Sequence, residues 1–218
     1  MIMSALFARL ISPPLVFNFT ADTTSDDVAL ANVSDTSGLM VGMPVAGDGL
    51  PLDAVIATVD PAVTLSLPAI ADRTASPLTQ GFQTAARRLA DPNAEQDMPA
   101  LYLIELGEVH QYRESNSPAL IEMDCEAWIF TRVGATESAV PASMLNILID
   151  GIERALYPPR SNQGFRQNLG LRGVHYCRIE GEIQKDPGHN GQIAGAIIPL
   201  KLLVAQSEET RAISIGRE

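Results

Sequence analysis

The sequence predicts an α+β fold, an antiparallel sheet with one long and one short helix packed on it, plus a small inserted all-β domain. Three observations lead there. From Leu10 to Asp72 there is no Lys, Arg or Glu, and no aromatic residue lies between Thr20 and Gly81, whereas the rest of the 218 residues mixes charges and aromatics normally. Such a Gly/Asp/Val/Thr-rich block reads as short strands and tight turns set into a different polypeptide. The run 121–130 alternates strictly, with Ile121, Met123, Cys125, Ala127 and Ile129 on one face and Glu122, Asp124, Glu126, Trp128 and Phe130 on the other, which is strand periodicity. In 143–156, Met144, Leu148 and Ile152 together with Leu145, Ile149 and Leu156 form an apolar stripe at helical spacing.

In chain order, residues 4–10 predict a short helix with Leu6 and Leu10 on one face, Ser4 as its cap and Pro13-Pro14 as its stop. The block over 15–81 carries β-favouring runs at 28–33, 39–45, 54–59 and 63–67. Asp35-Thr36-Ser37-Gly38, Gly47-Asp48-Gly49 and Asp60-Pro61 separate them as turns, and the product is a β-sandwich or barrel module. Residues 1–14 and 82–218 make the core. It resumes at Phe82 and runs through Arg87-Arg88 and a polar loop to a strand beginning at Pro99. After strand 121–130 comes the long helix, ended by Pro158-Pro159. Two further strands, 174–184 and 193–204, are joined by a Gly-containing hairpin over 186–191. Their edges need cover, which other copies of the chain are expected to supply.

With 46% hydrophobic residues and 19% charged, the chain has material for a real core. Its 26 acids against 15 bases give a net charge of −11, which disfavours nucleic-acid and anionic-membrane partners. No apolar stretch approaches the roughly 20 residues of a membrane helix, and the N-terminus lacks the order of a signal peptide. The chain is read as cytosolic when made. Cys125 and Cys177 fall in strands and are expected to be buried free thiols.

Asp22-Thr23-Thr24-Ser25, Asn32-Val33-Ser34, the stretch 38–45, the stretch 47–51 and Val63-Thr64-Leu65-Ser66 resemble a β-module found as an optional decoration on bacteriophage structural proteins. The core resembles the tail-terminator family of tailed bacteriophages, the group that includes minor tail protein U of the lambda-like phages. The residues concerned are the N-terminal helix, Phe82-Gln83-Thr84 running into Arg87-Arg88-Leu89, Pro99-Ala100-Leu101-Tyr102 and the alternating strand from Ile121. The helix around 145–153, the Asn168-Leu169-Gly170 turn before a Cys-containing strand and the terminal hairpin complete the set. That resemblance implies a homo-oligomeric ring, usually a hexamer, at the head-proximal end of the virion tail, assembled in the host cytoplasm. It implies tail-tube and head–tail connector proteins as partners, and DNA passing through the lumen without specific binding. The insertion at Pro14 is the departure from the family pattern. From the other class of function, the module is read as a binder of a host-surface sugar or protein, with the core as its mount.

Glu122, Asp124 and Glu126 are the sharpest candidate group, because alternate strand positions place three carboxylates on one face. They read as the lining of a ring lumen or as a subunit interface, against the ordinary reading of a solvated strand face. Arg87, Arg88, Arg166 and Arg172 are the candidates for subunit contacts, since guanidinium forks pair well with carboxylates. His110, His175 and His189 have no second ligand at metal spacing. There is no nucleophile elbow and no phosphate loop. The expectation is therefore no enzyme, no metal and no cofactor.

Overall fold

A computed structural model describes residues 2–12, 15–51, 54–87, 98–112, 119–132, 141–157, 167–169, 171, 173–186 and 193–205. Among them are eleven strands and two helices in three sheets, so the chain is mostly β and the expected α+β class is wrong. Helix is the minority for a physical reason. The block that follows the first helix contributes only strands, and the core strands run to 12 and 13 residues, longer than the periodic runs that announced them.

Helix α1 (Ile2–Leu10) buries Met3, Leu6 and Leu10, one face at i, i+3, i+7 spacing. It begins before Ser4, so that residue is a helical position and not the cap; its Oγ accepts a hydrogen bond from Arg87 Nη1 at 3.1 Å. Helix α2 (Pro141–Leu156) buries Leu145, Leu148, Ile149, Ile152, Ala155 and Leu156. Arg9 reaches across from α1 and donates to the carbonyls of Ala155 at 3.1 Å and Tyr157 at 3.2 Å. A guanidinium there satisfies carbonyls that the end of a helix leaves without partners.

Strands β1 (Val16–Thr23), β2 (Val45–Gly47) and β5 (Arg73–Gly81) form a three-stranded sheet ordered β1-β5-β2, and β3 (Ile56–Thr58) pairs with β4 (Thr64–Leu65). The expected strands at 28–33 and 39–45 reduce to isolated bridges, at Ala29, Ala31 and Pro44, and to the start of β2 at Val45. Phe19, Ala21, Leu30, Val45, Ile56, Leu65 and Leu78 belong to a core of their own. Gln80 is fully buried there and fully engaged: it accepts from the Met40 N–H at 2.7 Å and donates to the Gly38 carbonyl at 3.1 Å.

The six-stranded sheet runs β10-β11-β8-β7-β6, with β9 also on β11. Its members are β6 (Thr84–Ala86), β7 (Ala100–Gln111), β8 (Leu120–Arg132), β9 (Val174–Ile179), β10 (Gln184–Asp186) and β11 (Ile193–Ala205). Strands β8 and β11 pair without interruption from Ile193↔Arg132 to Ala205↔Leu120. Cys125, Ala127, Ile129, Ala196, Ile198, Leu200 and Leu202 share one core with both helices. The single strand expected over 174–184 is two strands, broken at 180–183 where Gly181 takes φ +128°.

The edges across 174–204 are covered in part among the described residues. Strand β11 is flanked on both sides, and the Cys177 N–H of β9 donates outward to the Gln167 carbonyl at 2.5 Å. Among the described residues β10 has no strand on its outer side, and β7 is open over a longer stretch. Its partner β6 stops at Tyr102, and residues 105–112 are all exposed. The two units meet at a neck, where Val16 pairs with Gly81 and the Phe82 N–H donates to the Leu15 carbonyl at 3.2 Å, and along residues 40–43, which pack against the core. Met43 is fully buried in the core that holds α2.

Candidate functional site

The sheet face turned away from the helix-bearing core carries the predicted carboxylates, because even-numbered residues of β8 alternate with the buried Cys125, Ala127 and Ile129. The register lays this face out in rows. Tyr176, Leu203, Glu122 and Val109 lie side by side; the next rows are Arg178, Lys201, Asp124, Gly107 and then Pro199, Glu126, Ile104. An open hollow of about 350 Å³ over the middle of the face is lined in part by Asp124, Glu126 and Glu180.

Lys201 is the residue that sequence reasoning missed. Its Nζ lies 2.7 Å from Glu122 Oε1, 3.7 Å from Asp124 Oδ1 and 3.9 Å from Glu180 Oε1. Only about a quarter of the side chain is exposed. The hydrogen bond to the Glu122 carboxylate outweighs desolvation, and with the nearby charges of Asp124 and Glu180 it holds the ammonium above its ordinary range. The signal was present in the sequence: Lys201 is the one charged residue in the otherwise apolar run 193–204. Glu180 in turn takes Arg178, whose Nε lies 2.7 Å from Oε2 and whose guanidinium stacks 4.3 Å from the Tyr176 ring centroid.

The three predicted carboxylates therefore have different surroundings. Glu122 and Asp124 share Lys201, whereas Glu126 accepts a 2.7 Å hydrogen bond from the Trp128 indole N–H. Beyond Glu126 the face turns aromatic. Tyr102 and Phe130 meet edge-on with centroids 6.0 Å apart, and Trp128 lies 6.5 Å from Phe130. The stripe is thus an acidic half bound to an aromatic half.

Of the four arginine candidates, Arg87 is engaged within its own chain, paired with Glu105 and bonded to Ser4. Arg88, Arg166 and Arg172 lie outside the described residues, as does His189. His110 pairs with Glu108 at 3.1 Å, and His175 is exposed. Cys125 and Cys177 are free and buried. Burial pushes the Cys125 thiol up to about 12, with Asp124 and Glu126 adding to the effect, and it lifts Cys177 further. Neither is a ready nucleophile. Among the described residues no three His, Cys, Asp or Glu side chains converge as a metal site, and no helix is long and apolar enough to cross a membrane. No family model matches the chain, and no curated protein matches it.

Proposed function

We propose that the chain is a structural, non-enzymatic protein of a bacteriophage tail, a tail-terminator-like subunit. It assembles as a ring, a hexamer by the resemblance, ends tube polymerisation and offers the tail to the head connector. The observation that carries this reading is the neck. Leu15 and Phe82 are joined by a backbone hydrogen bond, so the segments that resemble the family meet across the inserted block, and both flank one core. The acidic half of the open sheet face supports it, since carboxylates there repel passing DNA.

A second reading, adhesion through the β-block, is favoured by Val28, Leu67 and Ile70, which stand exposed on segments joined by the Leu65-to-Val28 and Ala69-to-Asp27 backbone bonds. Location separates the two. The test is mass measurement of the purified chain with and without tail-tube subunits, combined with labelling on particles. Ring-sized complexes on tubes and label at the head-proximal end are expected. A chain that stays unassembled on tubes, or label at the adsorbing tip, defeats the ring reading.

A further inference from the structure

Strand β7 is a 12-residue strand whose last three-quarters has, among the described residues, a neighbouring strand on one side only. Among the described residues, β8 pairs with it through Gln111, while β6 reaches only Tyr102. Along this open stretch three large apolar side chains face solvent, with Leu106 58%, Val109 57% and Tyr112 65% exposed. A long, exposed, partly apolar edge is a template for another strand.

The sequence of the edge states which strand fits. Taking Val109 as a centre and running a second copy antiparallel, Glu108 falls opposite His110, Leu106 opposite Tyr112 and Gly107 opposite Gln111, each twice. Acid meets imidazole at Glu108 and His110, apolar meets apolar at Val109, and Gly107 meets Gln111; Leu106, the extra residue of a bulge against β8, and Tyr112, just past the strand end, flank this regular pairing over 107–111. Directly opposed residues share a sheet face, so these are side-chain neighbours and not merely aligned letters. Glu108 and His110 already pair along their own strand at 3.1 Å, which places both groups at this edge. The outer strands at the other end of the sheet fit less well: β9 spends its Cys177 N–H on Gln167, and β10 is only the three polar residues Gln184–Asp186.

We infer that two copies of the free chain join through their β7 edges, antiparallel about a twofold axis at Val109, making one continuous sheet across the pair. A twofold contact closes on itself. It therefore belongs to the chain before it reaches a tail, goes beyond the ring reading, and covers the edge that would otherwise recruit strands at random.

The test uses the full chain without tube subunits. A residue on a twofold axis meets its own copy, so Val109→Cys alone should give a covalent dimer as the main species under mild oxidation. Val41→Cys, at a position equally exposed but remote in sequence, should not. His110→Glu sets carboxylates opposite Glu108 and should raise the dimer dissociation constant about tenfold by sedimentation. Adding Glu108→Lys to His110→Glu restores opposite charges and should restore the dimer. A parent chain that sediments as a monomer at its highest soluble concentration overturns the inference. So does Val109→Cys cross-linking no faster than Val41→Cys, or a double charge variant no tighter than His110→Glu. None of these results touches ring formation on tubes, which the tube experiment reads separately.

Discussion

Gly81→Ala is the sharpest probe of how the inserted block is fastened. Gly81 sits at the neck with φ +93°, and a Cβ built there falls 1.7 Å from the Leu15 carbonyl oxygen. Two costs follow. A side chain in left-handed backbone costs about 1–2 kcal/mol, and moving the Leu15 carbonyl aside breaks its 3.2 Å bond from the Phe82 N–H, worth about 0.5–1.5 kcal/mol. The total, about 1.5–3.5 kcal/mol, should shift a urea midpoint by roughly 0.8–1.8 M for a slope near 2 kcal/mol/M. Gly42→Ala is the internal comparison. It has φ +84°, but its obstruction is Ile147 Cδ1 at 2.5 Å, the end of a flexible side chain that can turn away, so the backbone term of about 1–2 kcal/mol remains alone. Urea unfolding followed by the fluorescence of the single Trp128 and by far-UV circular dichroism reads both. A loss below about 0.5 kcal/mol for Gly81→Ala, or a larger loss for Gly42→Ala, would refute the neck as described.

Stability should fall in alkali. The thiols of Cys125 and Cys177 and the Tyr102 hydroxyl titrate above their ordinary values because burial disfavours the anion, so the folded chain holds protons that the unfolded chain releases. Their contribution is whole below pH 9 and declines above it by about 1.4 kcal/mol per pH unit for each buried thiol. Stability measured from pH 8 to 11 should show that slope, and replacing both cysteines by Ala should flatten it. Lys201→Met leaves Glu122, Asp124 and Glu180 without their shared cation. The variant should gain more thermal stability from added salt than the parent does, and equal salt responses would show that Lys201 does not hold this face together.

Local patterns were legible in the sequence and long-range ones were not. The alternation of 121–130 and the helical stripe of 143–156 report a face directly, and both segments form the elements their periods name, as β8 and α2. Strands β1 and β5 were hidden. Pro77 interrupts β5, which argues against an inner strand, yet Pro77 pairs only with Thr20, because β2 ends opposite Leu78. The class was misjudged because periodicity finds faces and does not count them: the short bridging strands of the inserted block and the long tail of β7 carry no signal of their own. Lys201 was visible as an isolated charge, but its partners lie on β8 and just past the end of β9, which only the register of β11 brings together.

The acidic half-face and the inferred joint bear on each other through distance. In a β7–β7 pair, Glu122 lies one strand in from the joint on each side, so the two stripes stand three strand spacings apart, about 14 Å. Lys201 removes one charge from each stripe. At physiological salt the screening length is about 8 Å, shorter than this gap, whereas at 0.01 M it is about 30 Å and the stripes repel in full. The joint's own contacts, Glu108 with His110 and Leu106 with Tyr112, act over adjacent side chains and are screened less. Two opposing salt effects therefore do not cancel: the pair should tighten as salt rises from 0.01 to 0.15 M, and Glu122→Gln with Asp124→Asn should abolish most of that gain. A dimer that instead loosens steadily with salt would mean that the attraction of Glu108 for His110 across the joint outweighs the repulsion between the two acidic stripes, and that the stripes do not set its salt response.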